Sequence, residues 1–292
     1  AIPSRLAAAP PIPGAVKKEQ KPQLQQKVNF TPDEMPKMAD PRDRIFTFNV
    51  SGEPNSGKTH LLRTFRRPLF LDTEGKAWVV LEKFPACPWK RVRDFNDVRE
   101  GIHWALQNPD IDTIVIDSSA DLADLGADEY LDEHPDKKAV FPIASEYKKV
   151  YKKIDELVME IQETGKYLAV SSRRKDEYLD DKRTGRRVLD SYKKFPWDLM
   201  ISIELVNGIR DPLSGRILYP EYRFGRVEKN NFFHPAPDAS KTYMKPYIFD
   251  VTFEGIRNEM LMPWHGEEGV KISEIHKTIV NDAKLWIDLH QQ

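Results

Sequence analysis

Residues 49–62 read Asn-Val-Ser-Gly-Glu-Pro-Asn-Ser-Gly-Lys-Thr-His-Leu-Leu, and the segment from Gly52 to Thr59 within them constrains the chain more than any other feature. It has glycine, four residues, glycine, lysine and a hydroxyl residue, each at its fixed position. Two glycines let a short loop curl so that successive backbone N–H groups point inward and cradle anionic oxygens. A helix starting after Gly57 would aim its positive dipole end into the same hollow. Lys58 offers an ammonium to the β- and γ-phosphates of a nucleoside triphosphate, and the Thr59 hydroxyl suits Mg2+. Such a loop needs a strand before it and a helix after it. Ile45–Val50 reads as the strand and Lys58–Arg66 as the helix start. The nucleotide-binding set is then Gly52, Glu53, Pro54, Asn55, Ser56, Gly57, Lys58, Thr59 and His60.

A phosphate loop needs a partner carboxylate at the end of a buried strand. Asp112-Thr-Ile-Val-Ile-Asp117 is a β-branched apolar run closed by an acid, so Asp117 joins Thr59 as the expected Mg2+ support. Further strands read at Leu69–Asp72, Lys166–Val170 and Leu199–Leu205. Helices read at Val98–Gln107 and Tyr147–Glu163, the second with Val150, Tyr151, Ile154, Leu157, Val158 and Ile161 on one face. Strands alternating with helices predict parallel β-α-β units and a sheet covered on both faces. After residue 199 the chain turns strand-rich, with extended segments at Arg216–Phe224 and Phe224–Phe233, a turn at Asp211–Gly215, and a last helix at Ile272–Leu289. The fold expected is α/β: a mostly parallel central sheet covered by helices, with an antiparallel C-terminal extension.

Residues 1–43 are rich in Pro, Ala, Gln and Lys, and their prolines repeatedly deny the backbone a donor. They read as a tail or arm, leaving 44–292 as the folded domain. The charge is balanced, with 45 Lys+Arg against 46 Asp+Glu. That argues against a wholly basic nucleic-acid binder but permits a local basic patch. The single cysteine, Cys87, cannot form an intramolecular disulfide, so a reducing, cytoplasmic setting is expected (the host cytoplasm for a viral chain). No apolar run approaches the ~20 residues that span a bilayer. The N-terminal stretch lacks a signal peptide's continuous apolar region, and no membrane partner is expected.

Ser118 and Ser119 follow Asp117, whereas motor ATPases of the AAA+ group and many helicases place their catalytic glutamate directly after this aspartate. The motifs Gly52–Thr59, Asp72-Thr-Glu74 and Ile116-Asp-Ser118, in that order, resemble those of the RecA-like recombinase superfamily. The resemblance covers roughly residues 45–235 and is greatest to compact phage ATPases related to recombinase cores and linked to single-strand annealing. It implies a RecA-like P-loop NTPase fold, ATP and Mg2+ as ligands, and Glu74 as the carboxylate that activates water, acting with Lys58 in catalysis. It further implies a polar sensor at the end of the next strand, here Ser172 or Arg173 instead of the family's usual Gln or His. Phe224-Gly-Arg-Val-Glu-Lys-Asn-Asn231 resembles the late strand whose cations reach a neighbouring subunit's γ-phosphate, which makes Lys229 and Arg226 trans-finger candidates.

Residues 172–198 carry many Arg and Lys residues with Tyr178, Tyr192 and Phe195 interleaved, and Asp181–Gly185 reads as a hairpin tip. Cations for phosphates plus aromatics for stacking suit single-stranded nucleic acid. Arg174, Lys175, Lys182, Arg183, Arg186 and Arg187 are the expected contacts. The combined expectation is an ATPase acting on single-stranded DNA, stimulated by it, in a homo-oligomeric ring or filament. Two other readings stand beside it. One is a small-molecule phosphotransferase with residues 173–187 as a lid, and the other a nucleotide-gated assembly component of a viral complex.

Overall fold

The computed structural model describes residues 42, 44–84, 86–136, 142–179, 182–190, 198–211, 213–232, 242–243, 246–261, 264–265 and 272–291. The chain divides into two units, Ala1–Met38 and Ala39–Gln292, and every described residue lies in the second. Apart from Arg42, the expected tail falls outside the described residues.

The elements alternate as the pattern of apolar runs requires. They are β1 (Thr47–Gly52), α1 (Lys58–Leu62), β2 (Pro68–Asp72), α2 (Trp78–Leu81), β3 (Trp89–Arg91), α3 (Phe95–Gln107), β4 (Thr113–Asp117), α4 (Ser119–Asp132) and α5 (Ala144–Glu163). Then come β5 (Tyr167–Leu179), β6 (Lys182–Asp190), β7 (Ile201–Arg210), β8 (Ile217–Asn230), β9 (Thr242–Tyr243) and β10 (Tyr247–Ile248). The chain closes with α6 (Phe253–Met260), β11 (Trp264–His265) and α7 (Ile272–His290). The main sheet has the order β10-β8-β7-β1-β5-β4-β2-β3, with β6 paired to β5. From β7 to β3 every pairing is parallel, while β8 and β10 are antiparallel.

Every residue of β1, β2 and β4 is buried, because helices cover both faces. On one face Phe48, Val50, Phe70, Val115 and Ala169 pack against α1 and α6. On the other, Leu71, Ile114, Ile116, Leu168 and Val170 pack against α3, α4 and α5. Asp94 caps α3 by accepting from Asp97 N at 2.8 Å. Gly165, at φ 71°, ends the run after α5 and turns the chain into β5.

Three features differ from the sequence expectation. The strand expected to stop at Val170 continues to Leu179 and pairs with β6, so the basic segment is a long hairpin. Leu179 pairs with Lys182, so Lys182–Gly185 of the expected tip are strand, while residues 180–181 lie outside the described residues. The two extended segments after Arg216 are one strand, β8.

Phe65 joins the P-loop face together: its ring lies 5.3 Å from Phe48 and 4.8 Å from Phe253, tying α1 to α6. Phe65→Ala should lower unfolding stability by about 3–5 kcal/mol in urea titration. A loss under about 1 kcal/mol would contradict the packing described.

Candidate nucleotide site

The loop sits between β1 and α1, at the C-terminal edge of the parallel strands. Three of its residues have positive φ: Gly52 at 154°, Asn55 at 64° and Gly57 at 93°. Gly57 is the left-handed N-cap of α1, and only glycine adopts that conformation without a steric penalty. Ser56 N donates to Glu53 O at 3.1 Å, closing the curl. Lys58 Nζ folds back to donate to Gly52 O at 3.1 Å and Glu53 O at 3.0 Å. Burial lowers its pKa, with the carboxylates of Asp117 and Glu74 opposing the shift.

Asp117 ends β4 directly beneath the loop. Its Oδ2 accepts from Thr59 Oγ1 at 2.8 Å, and its Oδ1 accepts from Ser171 Oγ. Burial raises the Asp117 pKa, against the hydroxyl bonds that favour the carboxylate. A cation beside it would favour ionisation. This hydroxyl and carboxylate fit Mg2+, an ion bound through one or two carboxylates plus substrate phosphates. Among the described residues no group of three His, Cys, Asp or Glu could hold a metal by itself.

The cleft above these groups has a volume of about 540 Å³ and is also lined by Asp72, Glu74, His60, Arg173 and Arg223. Asp72 is structural: its carboxylate accepts from the N–H groups of Gly75, Lys76 and Ala77 at 2.8, 3.2 and 3.0 Å, fixing the turn that carries Glu74. Glu74 Oε1 accepts from Arg173 Nε at 2.7 Å, and Arg173 also pairs with Asp121 at 3.2 Å. Burial alone would raise the Glu74 pKa, but Arg173 and the Ser118 hydroxyl outweigh it and the net direction is down.

The proposed sensors separate. Alternation along β5 places Ser171 and Arg173 on the P-loop face and Ser172 on the other. Ser172 is fully buried, donating to Asn49 Oδ1 at 2.6 Å and bonded to Ser119 Oγ at 2.9 Å. It does not reach the cleft; Arg173 does. The polar residue missed from sequence is Ser171, which counting outward in twos from buried Ala169 would have found.

The hairpin cations also divide. Arg174 is buried between Glu204, 2.9 Å from its Nε, and Glu228, so it cannot serve an outside phosphate. Lys175 pairs with Asp190 and Arg183 with Asp176, both at 2.8 Å, and Arg187 pairs with Glu53 of the phosphate loop at 2.6 Å. Lys182 and Arg186 are exposed on β6. Of the finger candidates, Arg226 is bound to Glu204 at the loop end of β8. Lys229 lies further down that strand, opposite Ser202, where burial lowers its pKa.

The depressed Glu74 pKa has a stability consequence. The native value lies below the unfolded one, about 4.3 for glutamate. The pair's contribution is therefore present above that value and lost as pH falls through the native value. Arg173→Ala should raise the Glu74 pKa, read by carboxyl-carbon NMR titration; an unmoved titration would contradict the pairing.

A family described as AAA domain matches residues 46–201, which include the loop, Glu74, Asp117 and both strands of the hairpin. No curated protein matches the chain. Domains of this kind are P-loop ATPases that bind ATP, typically with Mg2+, and hydrolyse it. With more than half of its length inside the match, the chain belongs to the AAA domain family.

Proposed function

We propose that the chain is a RecA-like ATPase that binds and hydrolyses ATP with Mg2+ and acts on single-stranded DNA in recombination, annealing or replication, within a homo-oligomeric ring or filament. The observation that carries this reading is the continuity of β5. The strand whose Ser171 bonds Asp117 and whose Arg173 bonds Glu74 runs on, unbroken, into the basic hairpin. One strand thus joins the nucleotide cleft to the hairpin that carries Lys182, Arg183 and Arg186. Cations on such a hairpin suit a polyphosphate strand.

Each residue then has a task. The loop amides and Lys58 hold the phosphate chain, Lys58 exchanging the carbonyls of Gly52 and Glu53 for phosphate oxygens. Thr59 and Asp117 would hold Mg2+, which when bound neutralises charge on the phosphates. Glu74 takes the proton of the attacking water. While Arg173 bonds Glu74, that carboxylate is a weak base, so a hairpin movement that withdraws Arg173 frees it. Lys229 and Arg226 are the cations this reading offers to a neighbouring subunit. The phosphotransferase reading has less support, because residues 173–179 are sheet strand with Arg173 and Arg174 committed to ion pairs.

ATP turnover measured with and without single-stranded DNA tests the proposal. Turnover should rise with DNA, and Glu74→Gln should keep ATP binding while slowing hydrolysis at least ~100-fold. Phosphoryl transfer to a nucleotide acceptor, or nucleotide-dependent assembly with negligible turnover, would contradict it. So would hydrolysis at the normal rate in Glu74→Gln.

A further inference from the structure

The strand β8 does not run evenly along β7. Asn207 pairs with Arg223, yet Ile209 pairs with Leu218, so β8 carries extra residues in an arch over 219–222. Tyr219 in this arch has φ 54°, a left-handed conformation unfavourable to a bulky side chain. Opposite it, Gly208 at φ 73° leaves space that a Cβ would take from Ile217 and Leu218. A strained arch persists only where its surroundings hold it. Here Tyr219 and Tyr222 pack on the cluster of Ile209, Phe224 and α7, with the Tyr222 ring 6.4 Å from Trp286, edge on.

A bulge at a strand end re-aims the side chain that follows it. Here that residue is Arg223, whose guanidinium lies over Gly57 of the phosphate loop, where any Cβ would clash with it. Its Nη2 is 3.4 Å from Asn55 O, a long and weak bond. Arg223 lines the same cleft as Lys58, Thr59, Glu74 and Asp117. Among the described residues no carboxylate lies within ion-pair distance of it, whereas Arg226 and Arg174 are both bound to acids. Arg223 also reaches the cleft electrically: burial, then Arg63, then Arg223 push the His60 pKa down.

We propose that Arg223 is a nucleotide-binding residue, an in-chain guanidinium delivered by the β8 arch to pair with the phosphate chain held by the loop. The inference rests on the nucleotide reading above and adds a ligand contact from outside the loop. A planar guanidinium matches phosphate oxygens in a two-pronged geometry. The triphosphate supplies the anion that none of the described residues places there. The role also gives α7 a function, since its Trp286 braces the arch.

The test is equilibrium binding of Mg·ATP to the full chain and to Arg223→Ala, Arg223→Lys and Arg223→Tyr, each with a thermal melt matching the parent. Arg223→Ala should weaken binding roughly 10- to 100-fold. Arg223→Lys, which keeps the charge, should bind more tightly than Arg223→Tyr, which keeps a flat stacking surface. Affinity of Arg223→Ala within about twofold of the parent overturns the proposal. A tyrosine variant as good as the lysine variant also overturns it, since that marks contact with the base. A parent chain that fails to bind Mg·ATP would overturn the underlying nucleotide reading as well, which separates the two failures.

Discussion

The Asp117 carboxylate is where the sheet, the loop and the hairpin strand meet. One oxygen accepts from Thr59 at the start of α1, and the other from Ser171 on β5. A buried carboxylate with too few partners would protonate; two hydroxyls favour the charged form here. Those bonds also fix the height of α1 above the sheet and the register of β5 beside β4. The cleft, the turn that carries Glu74 and the root of the hairpin all take their positions from this junction.

Around that junction the charges are arranged in opposition. Lys58 is drawn down by burial and supported by Asp117 and Glu74. Glu74 is occupied by Arg173, and Glu53 by Arg187 of the hairpin. The hairpin therefore touches two carboxylates, Glu74 in the cleft and Glu53 in the phosphate loop. A shift of the hairpin would change the protonation balance at Glu74 and the freedom of the loop together. AAA domain membership and Ser118 after Asp117 are compatible in this arrangement, because Glu74 supplies a carboxylate to the cleft from the neighbouring strand.

Much of this was legible in the sequence where one residue type has one physical reason. The loop glycines, the β-branched run before Asp117, and the apolar stripe from Val150 to Ile161 all formed the elements expected of them. The α4 helix was not read because its buried face is thin: Leu122, Gly126, Ala127 and Tyr130 amid a run of acids. The hairpin strands were hidden by charged residues on both faces, which erase the period-two signal. Arg174 looked like a surface cation, since its burial depends on Glu204 and Glu228, far off in sequence. Nothing local announces the β8 arch, whose tyrosines pack on a cluster that α7, distant in sequence, helps to form.

The central claim is that the loop between Gly52 and Thr59 grips a triphosphate, and calorimetric titration of the purified chain with Mg·ATP tests it most directly. The account predicts saturable one-to-one binding that Lys58→Ala weakens at least ~100-fold while its thermal melt is unchanged. Absence of binding by the parent chain, or binding by Lys58→Ala that matches it, would contradict the account.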